Sequence, residues 1–328
     1  MTGKNIYRVA ANFMNIKKYH MKKITISVLI AAAYLAICAF PDIAFCRGVG
    51  TSAGTIMKID TGARPVALGG SYCAISDDIN AAQYNPAGLV QLQRKEVMVT
   101  HNEWFQGIRS EFLGYGMPLN EYWSLGVSLN YMFVNGMTER DEIGNTTGGK
   151  FGAYNGLATI TIGNEISDNL YLGVNIKALQ ESVDKESSLA YAGDAGLLYK
   201  MDEFRFGFAA QNIGTKVKIG EVGFEMPMNI RGGVAYSMLE DSLLVSCDLN
   251  KPLDNKLEIR TGAEWWLAEL FALRAGYRTN IAKNAGLGVS AGFGLKFSNY
   301  IIDYSFLPYG DIGNTHRLSL SYKFGEGK

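Results

Sequence analysis

From about residue 95 to the C-terminus, apolar residues recur at every second position in runs of roughly ten residues separated by turns. In Leu170–Leu179, one face carries Leu170, Leu172, Val174, Ile176 and Ala178, and the other Tyr171, Gly173, Asn175 and Lys177. Trp123–Tyr131, Leu287–Phe297 and His316–Phe324 repeat the pattern. A soluble sandwich also alternates, but here the polar face is largely small residues and strand follows strand with no helical stretch between them. After residue 46 nothing approaches the roughly 18 consecutive apolar residues of a membrane helix. In hydrocarbon every backbone N–H and C=O must be paired, so the other way to span a bilayer is a closed barrel. The expected fold class is all-β, a transmembrane antiparallel β-barrel.

Fourteen segments fit the pattern, near 95–104, 108–118, 122–134, 151–164, 169–181, 188–200, 203–213, 226–238, 241–250, 256–267, 269–279, 286–298, 300–307 and 314–324. The even count suits a bacterial single-chain barrel. Tight polar links follow the even-numbered segments, such as Asn120-Glu121, Ser167-Asp168 and Ser298-Asn299. Most links after odd-numbered segments are longer: 135–150, 182–187, 214–225, 251–255, 280–285 and 308–313. Short turns belong to the periplasmic side, which puts both ends of the barrel there. Composition agrees: 38 Gly, 18 Tyr and 16 Phe against 7 Pro suit many paired strands. Tyr122, Trp123, Tyr131, Trp265, Trp266, Tyr277 and Tyr300 fall near strand ends, as interfacial girdles do. Lys177, Arg231, Arg274, Arg278, Asp303 and Arg317 fall on the polar face and are expected to line the lumen.

Residues 1–46 read as a leader. Lys22 and Lys23 follow Met21, the expected start, and Ile24 to Phe40 is uncharged and apolar. Cleavage after Cys46 is expected, as in a secretory signal peptide. This stretch carries a formal charge of +5 and the remainder −5. An acidic mature chain argues against a nucleic-acid partner. Cys73 and Cys247 then remain, without metal-ligand spacing, and read as separate packing residues.

Residues 47–94 are rich in Gly and Ala and do not alternate. Asp77 or Asp78 is expected to cap a short helix over Ile79–Tyr84. Asn85 fits a helix N-cap with Pro86 at the first helical position. Such a segment is either a plug inside the barrel or a periplasmic arm.

Three apparent motifs fail on context. Gly144–Lys150 lacks the hydroxyl residue and the strand-to-helix frame of a phosphate loop and reads as a hairpin loop. Gly288–Gly292 matches the nucleophile elbow, but Ser290 lies within a regular strand and reads as a small lumen residue. His101 has no serine partner that the sequence can select. No catalytic residue, metal or cofactor is expected, and the chain does not read as an enzyme.

The stretch Gly50-Thr-Ser-Ala-Gly54, Met57-Lys58-Ile59, Gly62-Ala63-Arg64, Leu68-Gly69-Gly70, Ser76-Asp77-Asp78 and Tyr84–Leu89 resembles the start of the PorV/PorQ family, which is similar to FadL-type outer-membrane transporters. The closing His316-Arg317-Leu318-Ser319 and Tyr322–Gly325 look like its last strand. The resemblance implies a fourteen-stranded barrel in the bacterial outer membrane. It also implies that 47–94 is a hatch plugging the 95–328 barrel, with Asn85, Pro86, Ala87 and Gly88 as the hatch motif. Two roles follow as expectations. One is uptake of hydrophobic small molecules, favoured by Phe151, Val217, Ile219, Val222 and Phe224 in the outer loops. The other is a subunit of a type IX secretion or surface-attachment machine, with secretion-system proteins as partners.

Overall fold

The computed structural model describes residues 52–141, 143–184, 186–279 and 286–328. The expected leader over 1–46 lies outside them. The strands are β1 (Lys95–Glu103), β2 (Arg109–Pro118), β3 (Trp123–Arg140), β4 (Thr146–Ser167), β5 (Leu170–Val183), β6 (Glu186–Met201), β7 (Phe204–Gly214), β8 (Val217–Ile219), β9 (Val222–Phe224), β10 (Asn229–Met238), β11 (Leu243–Pro252), β12 (Glu258–Leu267), β13 (Phe271–Arg278), β14 (Val289–Phe297), β15 (Tyr300–Pro308) and β16 (Asn314–Phe324). Apart from the β8–β9 pair, these close into one barrel of fourteen strands in sequence order. The first and last barrel strands meet antiparallel, from Lys95 opposite Phe324 to Glu103 opposite His316.

Period two decides which side chains meet lipid. On β5, Tyr171, Gly173, Asn175 and Lys177 are buried, while Leu172, Val174 and Ile176 point outward. The outward set across the barrel includes Leu129, Ile160, Ile176 and Leu318. Each such side chain held in water forgoes roughly 1–2 kcal/mol of transfer free energy, so this belt needs a hydrocarbon solvent. Aromatics gather at the short-turn rim, where Tyr300 and Tyr322 stack at 4.7 Å and Phe204 and Tyr236 at 4.5 Å.

The structure departs from the sequence reading at several points. The loop expected over 135–150 is mostly strand, because β3 runs to Arg140 and β4 starts at Thr146. Backbone pairing carries this ribbon despite its Gly and Thr content, through two register shifts. Asp141 closes the tip by accepting the Asn145 N–H at 2.7 Å. The link expected over 182–187 shrinks to 184–185 for the same reason. Phe151 is consequently a strand residue, and Val217 turns inward to full burial. Trp266 is no girdle residue. It sits on the inner face with the Arg274 guanidinium 5.7 Å above its ring, while Trp265 points out. Cys73 and Cys247 are both free thiols.

Candidate functional site in the barrel lumen

Residues from Gly54 to Leu92 fold inside the barrel. Their elements are α1 (Ala63–Ala67), α2 (Ala81–Tyr84) and 3-10 turns at Thr55–Lys58 and Pro86–Gln91. These are short, and none would persist alone in water. The barrel wall supplies what they lack. The Ser319 hydroxyl accepts the Ala63 N–H at 2.9 Å, Asp248 accepts those of Tyr72 and Cys73 at 2.9 and 2.8 Å, and Asn175 donates to the Ala82 carbonyl at 2.8 Å. Ser290 donates to the Ala67 carbonyl and accepts from the Gly69 N–H, each at 3.1 Å. That is a structural role for the serine of the apparent elbow.

Asn85 begins its turn as an N-cap, with its side chain accepting the Ala87 N–H at 3.2 Å and Pro86 at the first turn position. Its amide then donates to the Cys73 carbonyl at 2.9 Å and to Leu197 of β6 at 3.0 Å. One side chain thus holds the turn, the rest of the plug and the wall. Gly88 is required because a Cβ there would strike the Ser76 carbonyl. The preceding helix starts later than expected: α2 begins at Ala81, and Asp78 accepts the Asn80 N–H at 2.9 Å rather than capping Ile79.

Close approach explains where the wall glycines fall. Gly173 and Gly196 are directly paired on β5 and β6, and a Cβ on either would run into Pro86. Gly207 pairs with Gly233 under Cys73, and Gly262 with Gly276 under Leu68 and Gly69. Gly173, Gly196 and Gly207 lie nearer the short-turn ends of their strands and Gly233, Gly262 and Gly276 nearer the long-link ends, so the plug meets the wall in both halves of the barrel.

Ion pairs add orientation. Arg64 forks onto Glu264 of β12 through two bonds of 2.8 Å and reaches Asp77 at 2.5 Å. Asp60 meets Arg260 at 2.9 Å and Arg278 at 3.3 Å. Burial opposes the charge on Asp60 and on Asp77. The arginines around each outweigh it and hold both carboxyls below the usual aspartate range. Burial likewise opposes the Arg64 charge, and Asp77 and Glu264 outweigh it.

Every polar residue assigned to the lumen from the sequence lies on the inner face. Lys177 pairs with Asp194 at 2.6 Å, and Arg274 bridges Glu264 and Asp303 at 2.6 and 2.7 Å. Arg317 is fully buried and donates to Thr315 at 3.1 Å. Arg231 places its guanidinium 5.1 Å from the Tyr84 ring centre. The residues missed from the sequence are the plug's own charges Asp60 and Arg64 and their wall partners Arg260 and Glu264. Their signal was present as charges inside an otherwise Gly- and Ala-rich segment and at inward strand positions.

At the long-link end, an apolar cluster forms from Ile56, Leu157, Leu179, Ala190, Val217 and Met226, with Met57 and Met132 against it. The β8–β9 hairpin delivers Val217 to it. Beside the cluster opens a polar cavity of about 150 Å³ lined by Asp60, Tyr84, Asn229, Arg231, Asp254 and Arg260 among others. His101 is remote from both, on the outer face beside Glu111 at 2.7 Å. Among the described residues, no group of three His, Cys, Asp or Glu side chains could hold a metal.

In fold the chain is similar to solved hydrocarbon channels. The chain is similar to the monoaromatic hydrocarbon channel CymD, with a TM-score of 0.62 and 14% identity, over 81% of this chain and 98% of that one. It is similar to the Ralstonia pickettii toluene transporter TbuX, with a TM-score of 0.60 and 14% identity over 81% and 98%. It is also similar to a Pseudomonas aeruginosa FadL homologue, with a TM-score of 0.53 and 13% identity over 78% and 96%. At these identities the likeness is one of fold. Residues 31–177 match a family described as "Uncharacterised protein family (UPF0164)". No curated protein matches the chain in sequence.

Proposed function

We propose that this chain is an outer-membrane barrel for the uptake of small hydrophobic molecules. The carrying observation is the apolar cluster at the long-link mouth, where Ile56 and Met57 of the plug pack against Leu157, Leu179 and Val217. Ligand lodges there and proceeds once residues 52–94 shift. That the fold is shared with hydrocarbon channels supports the reading. The leader over 1–46 would deliver the chain for export, and the outward apolar belt fits it to a bilayer. The narrower PorV/PorQ affiliation is part of the proposal and rests on the ordered resemblance over residues 50–89.

The test is accumulation of radiolabelled toluene by cells that carry or lack the gene. Uptake should fall on deletion and return with the wild-type gene. Equal uptake in both strains refutes the reading. A pull-down from outer membranes that recovers secretion components instead would move the role from uptake to docking.

A further inference from the structure

Two rows of charge interrupt the outward apolar belt on neighbouring strands. The outward residues of β1 run Val97, Val99, His101 and Glu103, and those of β2 run Tyr115, Leu113, Glu111 and Arg109. They stand opposite one another across the two strands: Val99 with Leu113, His101 with Glu111, and Glu103 with Arg109. At the same six-residue distance from the short-turn end as His101, other strands carry Leu129, Ile176, Tyr277 and Leu318. Lys251, an outward cation near the long-link end of β11, spends its amine on the Asn255 carbonyl at 2.7 Å.

The rows lie at hydrocarbon depth. Tyr115 and Tyr322 flank Val97 and belong to the aromatic rim at the short turns. A strand tilted by about 40° climbs roughly 2.5 Å per residue, which sets His101 and Glu111 about 10 Å, and Glu103 and Arg109 about 15 Å, above that rim. The apolar band of an outer-membrane barrel is about 25 Å tall, and a charge facing lipid within it is destabilising. His101 and Glu111 offset each other at 2.7 Å. His316, the outward neighbour of Glu103 on β16, is held by the Tyr304 hydroxyl at 2.8 Å. Glu103 and Arg109 are exposed, and their side chains form no ion pair or hydrogen bond among the described residues.

We infer that the outer face of β1 and β2 is the contact between two copies of this chain in the membrane, related by a two-fold axis along the bilayer normal between these strands. Such an axis exchanges the left and right halves of the face. Glu103 of each copy then meets Arg109 of the other, and His101 and Glu111 are exchanged in the row below. Each row holds one member of either kind, so the face complements itself. A lipid headgroup of a single charge would suit one member of each row and oppose the other. Apolar belts alone give two barrels no reason to associate, because lipid tails are an equally good neighbour, whereas polar groups that lipid leaves unsatisfied do. Val99 and Leu113, both half exposed, pack across the axis beneath the charged rows. This contact lies on the outer wall and does not rest on the uptake reading.

Energy transfer between labelled copies in proteoliposomes tests the contact. Full-length protein carries Gln106→Cys on the exposed β1–β2 link, and Cys247→Ser removes the lipid-facing thiol. Donor- and acceptor-labelled protein mixed at a low protein-to-lipid ratio should show transfer that persists as lipid is added. Glu103→Arg places like charges opposite each other twice across the axis and should weaken association about tenfold or more. The exchange Glu103→Arg with Arg109→Glu keeps each row complementary and should restore transfer. Heat-modified gel mobility verifies that each variant is a folded barrel. The inference is overturned if the starting protein shows no transfer, whether bare or carrying a lipid or another protein. It is also overturned if folded Glu103→Arg associates as before, or if the folded exchange variant does not recover.

Discussion

Arg64 of the plug and Glu264 of β12 are joined by two parallel N–H···O bonds of 2.8 Å, the planar fork that a guanidinium forms with a carboxylate. Glu264 is shared with Arg274, so one carboxylate ties the plug to the wall and the wall to itself.

Removing Glu264 leaves Arg64 with Asp77 and Asp78 and Arg274 with Asp303, so each guanidinium loses part of its pairing. Glu264→Leu should destabilise the seated plug by about 1–3 kcal/mol, the cost of removing one partner from a buried charged group. Single-channel recording in planar bilayers reads the effect. The single variant is expected to show frequent openings, and the wild type to stay closed. A single variant as quiet as the wild type would remove the pair from the seating mechanism.

Gly196 touches Pro86 so closely that any side chain must displace it, with an ideal Cβ only 2.8 Å from the Pro86 Cδ. Gly196→Val should lower stability by about 1–3 kcal/mol through overpacking. Gly232, whose Cβ would meet nothing within 4 Å, should tolerate alanine and serves as the control. Heat-modified gel mobility across a temperature series separates the two.

The depressed carboxyls of Asp60 and Asp77 fix a pH window. Their folded pKa values lie below the unfolded aspartate value of about 3.9, so the stability they add is complete at neutral pH. It is lost as pH falls from about 4 through the folded values. Protease access to the plug should rise below about pH 4 and stay constant between pH 5 and 8. A midpoint near neutrality would contradict this origin.

Val217 is fully buried although it lies in a surface hairpin. Val217→Asp would place a carboxylate against Ile56 and Met226 at a cost of several kcal/mol, and the hairpin should lift away instead. Trypsin would then cut after Lys216 and Lys218 faster than in the wild type, with the barrel itself intact. Unchanged cleavage would mean that the hairpin is held by other contacts.

The barrel was legible because its determinants are local. Alternation, turn chemistry and link length each repeat along the chain, and every strand end but those of the β3–β4 ribbon fell near its expected place. The ribbon was missed because backbone pairing does not need a hydrophobic pattern. Trp266 was misplaced because a one-residue step at a strand end reverses the face, as its neighbour Trp265 shows. The plug's seat was not legible. Gly173, Gly196 and Pro86 are far apart in sequence, and nothing local tells a wall glycine that receives the plug from one that merely faces it. The Asp60–Arg260 and Arg64–Glu264 pairs depend on the same long-range docking.

The central claim is that the seated plug closes the route and must move for ligand to pass. Cys73 of the plug offers a direct staple: a Cβ placed on Gly233 of β10 would lie 3.2 Å from the Cys73 Cβ, just inside disulfide spacing, and the Asp248 carboxylate, which that Cβ would strike, must swing aside to admit it. The measurement is toluene entry into proteoliposomes bearing Gly233→Cys protein, oxidised and then reduced. The account predicts that entry stops in the oxidised protein and resumes after reduction. Equal entry in both states would show that hydrocarbon passes with the plug locked in place, and would contradict it.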